Sequence, residues 1–228
     1  MIRWQHAWEA DCLSEFDPPF DIHAPETVTA PVIFCSPHSG RHYPDSFTKR
    51  SPHDLLTLRQ NEDAFIDMLF ASAPLHGAPL LAARFPRCFV DVGRAPCELP
   101  ESWLEPEQTT TARAKAGLGV VPTALGEDVP IYRWPLRASA VPARLKALYH
   151  PYHNALNTLI EKAKARFGCA LVIDCHSMPG FSISGARRSD IILGDRFGTS
   201  CAPDTITEID ELFTQRGYAV TRNYPYAG

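Results

Sequence analysis

Two histidines close apolar runs in this chain: His38 in VIFCSPH (residues 32–38) and His176 in LVIDCH (171–176). Each run reads as a strand that breaks into small and turn-forming residues, Ser39-Gly40 after the first and Ser177-Met178-Pro179 after the second. One histidine at a strand end is most simply a packing residue, but two at equivalent positions point to a shared centre. Neutral imidazole is the commonest protein metal ligand, and two histidines with one carboxylate form a catalytic zinc set that leaves a position for water. Asp174 and His176 alternate onto one face of their strand and Cys175 onto the other. Asp174 is thus placed to orient His176, as outer carboxylates do for metal-bound histidines, and Cys175 reads as a packed thiol rather than a nucleophile. The third ligand is expected to be a carboxylate, and NEDAFID (61–67) offers Glu62, Asp63 and Asp67. Acidic residues also suit a helix start for dipole reasons alone, so spacing does not choose among them.

These groups need a frame. Strands are predicted over 31–35, 80–83, 88–92 and in CALVIDCHSMPG (169–180), SDIILGD (189–195) and YAVTRNYPYAG (218–228). Helices are predicted for SPHDLLTLRQ (51–60), for NEDAFIDMLFASAPLHG (61–77) and for APDTITEIDELFTQRG (202–217), which reads as capped. The second of these is expected to be capped by Asn61 and to carry a stripe of Ile66, Leu69, Phe70 and Ala73. The longest helical pattern covers 141–168, with Pro151 expected to kink or divide it and Gly168 to end it. Residues 1–30 read as an irregular, surface-hugging lead-in. Residues 96–141 are rich in Pro, Gly, Thr and charge, a length that suggests a functional or mobile segment such as a lid. Strands alternating with helices predict one α/β domain over 1–228, its mostly parallel sheet covered on both faces. In such sheets sites form beyond the carboxyl ends of the strands, where both histidines lie.

Bulk properties narrow the partners. A formal net charge of -4 argues against a nucleic-acid or anionic-membrane surface, since both favour a basic footprint. No apolar run approaches the ~18 residues of a membrane span. Seven cysteines without a CxxC pair suit free thiols in a reducing compartment, and the first residues lack the basic-then-apolar order of a secretory signal; a cytoplasmic protein is expected. There is no GxSxG elbow for a serine hydrolase, and GLGV (117–120) lacks the context of a dinucleotide fingerprint. His150 and His153, three apart on the long helix, read as a polar face beside the pocket rather than a metal pair. Composition says nothing of oligomeric state.

The runs SPHSGRHYP, EDAFIDMLF, RFPRCFVDVGR, YHPYHNAL, LVIDCHSMPG and DIILGDRFGTSC, in that order, resemble the N-formylglutamate amidohydrolases over residues 31–228. The resemblance implies a distant branch of the zinc carboxypeptidase and aspartoacylase fold, a three-layer α/β/α structure around a mixed sheet. It implies one divalent ion, zinc, on His38, His176 and a carboxylate of the 62–63 pair, with Asp63 preferred. Zinc carboxypeptidases take that carboxylate from a His-x-x-Glu run, but the third residue after His38 is Arg41. Their Asp-x-Asn-Arg run appears as Asp91-Val92-Gly93-Arg94, which carries over Arg94 for substrate binding and loses the amide; Asp91 then anchors the Arg94 loop. The family's general base, a glutamate on a later strand, is expected beyond Gly228. The implied reaction is hydrolysis of N-formyl-L-glutamate, or a similar N-acyl acidic amino acid, by a metal-activated water, a step of histidine breakdown. The competing expectations are a deacylase of another N-acyl amino acid and a non-catalytic metal- or ligand-binding relative. A dianionic substrate requires cations: Arg84, Arg87 and Arg94 cluster in one run, Arg187 and Arg188 follow the His176 loop, and Ser177 flanks the metal. Arg94 and Asp174 are the residues expected to act in catalysis.

Overall fold

The computed structural model describes residues 2–104, 109–126, 129–182 and 184–228. The chain divides into two compact units, Met1–Ser177 and Met178–Gly228. The first holds a four-stranded sheet of β1 (Phe20–His23), β2 (Val32–Ser36), β3 (Leu80–Ala83) and β4 (Leu171–Asp174), in the order β1-β3-β2-β4. β2 runs parallel to β3 and β4, and β1 antiparallel to β3, so the sheet is mixed and mostly parallel. The helices are α1 (Ile2–Ser14), α2 (Asp45–Thr48), α3 (Leu55–Arg59), α4 (Ile66–Leu69), α5 (Ala112–Lys115), α6 (Ala140–Arg144), α7 (His150–Phe167) and α8 (Pro203–Gln215).

Alternation along β2 explains the layers. Ile33 and Cys35 turn to one face and share the buried core with Tyr152 and Ala163 of α7. Phe34 turns to the other, its ring 5.5 Å from that of Phe70 beside α4. Helices therefore cover both faces, as an α/β protein requires. In the second unit α8 connects β5 (Ile191–Leu193) to β6 (Val220–Arg222), a parallel pair. Its start has Pro203 at the first turn and Ala202 before it, with no side-chain cap. Among the described residues no helix is long and apolar enough to cross a membrane, and all seven cysteines are free thiols.

Several expected elements differ. Residues 1–30 are not an irregular lead-in: α1 sends Trp8 and Cys12 into the core and β1 extends the sheet. Cys88–Val90 form a fully buried turn rather than a strand. Asn61 caps no helix, because Phe65 takes a left-handed conformation (φ 66) and the helix starts only at Ile66. Leu69, expected on the apolar stripe, is 71% exposed. Pro151 does not divide the long helix. A π turn at Leu145–Tyr149 precedes it and the chain continues helically to Gly168, whose φ of 77 ends α7. The described parts of 96–141 are no free lid: Val120, Val121 and Ile131 are core residues.

Candidate metal centre

Neighbouring parallel strands deliver the two histidines. β2 and β4 are in register, Cys35 opposite Asp174, and the Cys175 N–H donates to the Cys35 carbonyl at 2.8 Å. His38 and His176, each two residues past its strand, therefore emerge side by side at the carboxyl end of the sheet. The turn after His38 packs backbone on backbone: a Cβ on Gly40 would lie 2.1 Å from the Phe85 carbonyl oxygen. No side chain fits there. Asp63 arrives from the break before α4, its N–H donating to the His38 carbonyl at 3.0 Å. The left-handed Phe65 that ends this link is a conformation costing about 1–3 kcal/mol in a non-glycine residue, of the kind that recurs at functional sites.

Three donor atoms converge. His38 Nδ1 lies 3.2 Å from His176 Nδ1 and 3.3 Å from Asp63 Oδ2, and His176 Nδ1 lies 2.8 Å from the same oxygen. Ligands about 2.0–2.1 Å from a tetrahedral zinc stand about 3.3 Å apart, so the triangle has the size of one face of a zinc coordination shell. The far side of each ring is held alike. His38 Nε2–H donates to Asp91 Oδ1 at 2.7 Å and His176 Nε2–H to Asp174 Oδ2 at 3.1 Å. With Nε2 protonated in each ring, both Nδ1 lone pairs face the carboxylate of Asp63. Two lone pairs and an anion at this spacing call for a proton or a cation between them. His38 and Asp63 are buried, while the His176 side chain is 43% exposed, which leaves the centre open on one side.

Electrostatics follow the geometry. Burial alone would push the Asp63 carboxyl up, but hydrogen bonds from His176 and His38 outweigh it and hold the carboxyl at about 2. Burial would lower His176, yet hydrogen bonds to Asp174 and Asp63 raise it to about 9. Asp91 is held well below the usual carboxylate range: His38 and then Arg87 overcome a large burial cost. The same negative surroundings that raise His176 favour a cation at this position. Asp91 behind His38 was missed as a site residue by sequence reasoning, which gave it only the Arg94 loop. No local pattern marks it, because Asp91 meets His38 only through the turn that follows β3. Asp91→Asn is expected to weaken zinc binding about 10- to 100-fold, measured by competition with a chromophoric chelator.

The remaining predicted residues fall into distinct places. Glu62 is occupied by Arg59, at 3.1 and 3.3 Å, and Asp67 by Arg41 at 3.0 Å. Arg87 donates to Asp91 Oδ2 at 3.0 Å, and Arg94 Nε lies 3.7 Å from that oxygen, buried and without a hydrogen-bond partner among the described residues. Arg84 lies 4.0 Å from Asp21 instead. Ser177 is exposed directly after His176. His153 faces the Val92 carbonyl at 3.0 Å, so it serves the Arg94 loop. A Cβ at Gly93 would sit 3.2 Å from both Asp91 Oδ1 and His38 Cε1, so a side chain at that position would crowd the His38–Asp91 pair. In the second unit, Arg187 pairs with Asp190 at 3.3 Å and Arg188 donates to the Pro179 carbonyl at 3.1 Å.

A family model described as N-formylglutamate amidohydrolase matches residues 30–228. The N-formylglutamate deformylases of Pseudomonas putida and Pseudomonas aeruginosa are each 26% identical over 203 residues, spanning 87% of this chain and 72% of the relative. The crystal structure of N-formylglutamate amidohydrolase from Ralstonia eutropha JMP134 superposes with a TM-score of 0.83 at 33% identity, covering 92% of this chain and 78% of that one. A gene product of Agrobacterium tumefaciens, 19% identical with a TM-score of 0.53 over 91% of this chain and 74% of that one, shares the fold.

Proposed function

The chain belongs to the N-formylglutamate amidohydrolase family, and from that membership we propose that it hydrolyses N-formyl-L-glutamate to formate and L-glutamate, with one divalent ion, zinc, on His38, Asp63 and His176. The observation that carries the metal is the triangle of His38 Nδ1, His176 Nδ1 and Asp63 Oδ2, with every edge between 2.8 and 3.3 Å. A divalent ion there supplies a Lewis acid for the formyl group and lowers the pKa of water from about 15.7 towards 7.

The chain's own residues do the rest. Asp91 and Asp174 keep the proton of each imidazole on Nε2, so that Nδ1 remains a donor. Asp63 adds the negative charge that favours a divalent ion over a proton. Arg94, whose buried Nε lies 3.7 Å from Asp91 Oδ2 and has no hydrogen-bond partner among the described residues, is the arm for a substrate carboxylate, and a guanidinium can hold that group through two parallel hydrogen bonds. Arg87 is committed to Asp91 and tunes the site from behind.

The test is formate release from a panel of N-formyl and N-acetyl amino acids. N-formyl-L-glutamate is expected to give the highest kcat/KM; activity confined to substrates other than glutamate derivatives would reject the assignment. Dialysis against a strong chelator is expected to lower the rate about 100-fold or more, and one equivalent of zinc to restore it. Full activity in metal-free protein would remove the ion from the reaction.

A further inference from the structure

The backbone that carries Asp91 and Arg94 is gripped from one helix. Arg144 Nη1 donates to the Phe89 carbonyl at 3.0 Å, the Tyr149 hydroxyl to the Arg94 carbonyl at 2.9 Å, and His153 Nε2–H to the Val92 carbonyl at 3.0 Å. Their spacing is i, i+5 and i+9. On an uninterrupted α-helix, at about 100° per residue, Tyr149 and His153 would point about 140° and 180° away from Arg144. The π turn at Leu145–Tyr149 absorbs one residue. The effective spacing becomes i, i+4 and i+8, a single stripe spanning about 80°. Pro151 has no N–H for the carbonyl four residues back, which suits the wider turn just before it. The Tyr149 and His153 rings also pack together, centroids 4.4 Å apart.

We propose that Tyr149 and His153 are positioning residues for Arg94, brought onto its loop by the π turn, and that they set how tightly the enzyme holds its substrate carboxylate. This rests on the reading of Arg94 as the substrate arm of an N-formylglutamate hydrolase. A misplaced Arg94 weakens the ground state and the transition state alike, so KM rises while kcat holds. A merely structural defect would reduce the active fraction and leave KM unchanged.

The experiment is steady-state kinetics on N-formyl-L-glutamate with zinc-loaded full-length protein. Tyr149→Phe and His153→Phe are each expected to raise KM about five- to tenfold, the effect of one neutral hydrogen bond, with kcat within about twofold and zinc content unchanged. His153→Gln, which keeps a donor for Val92, is expected to restore most of the affinity. In an Arg94→Ala background Tyr149→Phe is expected to have no further effect on KM, since the two act through one contact. Wild-type KM in both phenylalanine variants, or KM factors that multiply independently of Arg94, would overturn the inference alone. Absence of turnover by the wild type would overturn the substrate assignment and this inference with it. Should Tyr149→Phe not fold, the His153→Phe and His153→Gln pair decides by the same readout.

Discussion

Asp63→Ala is expected to lower kcat/KM for N-formyl-L-glutamate by about 10³-fold or more, a barrier increase of about 4 kcal/mol, and to leave the purified protein without stoichiometric zinc. Asp63 is the one anion in the triangle, 2.8 Å from His176 Nδ1 and 3.3 Å from His38 Nδ1. Removing it leaves two imidazoles and no charge to favour a divalent ion. The fold should survive, because the link from the Asp63 N–H to the His38 carbonyl belongs to the backbone. Glu62→Ala is the control: its side chain is buried against Arg59, so zinc and activity are expected to remain. Elemental analysis beside kinetics checks both. Zinc retained in Asp63→Ala and lost in Glu62→Ala would reverse the assignment of the ligand.

The second large effect is on stability. Arg144 has no exposed surface; its Nε and Nη2 meet Glu9 at 2.6 and 3.2 Å, its Nη1 reaches the Tyr132 hydroxyl at 2.8 Å, and its guanidinium lies 3.7 Å over the Phe89 ring. Burial opposes the charge, but Tyr132 and Glu9 keep the guanidinium firmly protonated. Glu9→Ala removes the partner and leaves the cation buried without a counter-charge, a loss of about 3–5 kcal/mol in comparable buried pairs. Chemical denaturation is expected to show that loss at constant m-value. A change below about 1 kcal/mol, the scale of exposed pairs, would mean that Arg144 gains no net stabilisation from α1.

How much of this was legible depends on what kind of signal each part left. β2, β3 and β4 announce themselves as short apolar runs, and Leu80–Ala83 appears with the expected ends. The meeting of His38 and His176 follows from their equivalent places after neighbouring strands, and the pairing of Asp174 with His176 from strand alternation. The break at Phe65 was not legible, because the 3.6-residue spacing of Ile66, Leu69, Phe70 and Ala73 runs on regardless. A tertiary contact, Asp63 to the His38 backbone, overrides it. α1 was obscured by the prolines and acids that follow it, although Trp8 and Cys12, four residues apart, mark its buried side. Asp91 needed knowledge that the turn after β3 doubles back onto His38, which no local pattern carries.

The most direct test of the central claim is X-ray absorption at the zinc edge of the metal-loaded wild type. The account predicts one zinc per chain, with a nearest shell of nitrogen and oxygen at about 2.0–2.2 Å and the outer scattering of two imidazoles, reduced to one in His176→Ala. A zinc shell without imidazole scattering, or one unchanged by His176→Ala, would contradict it.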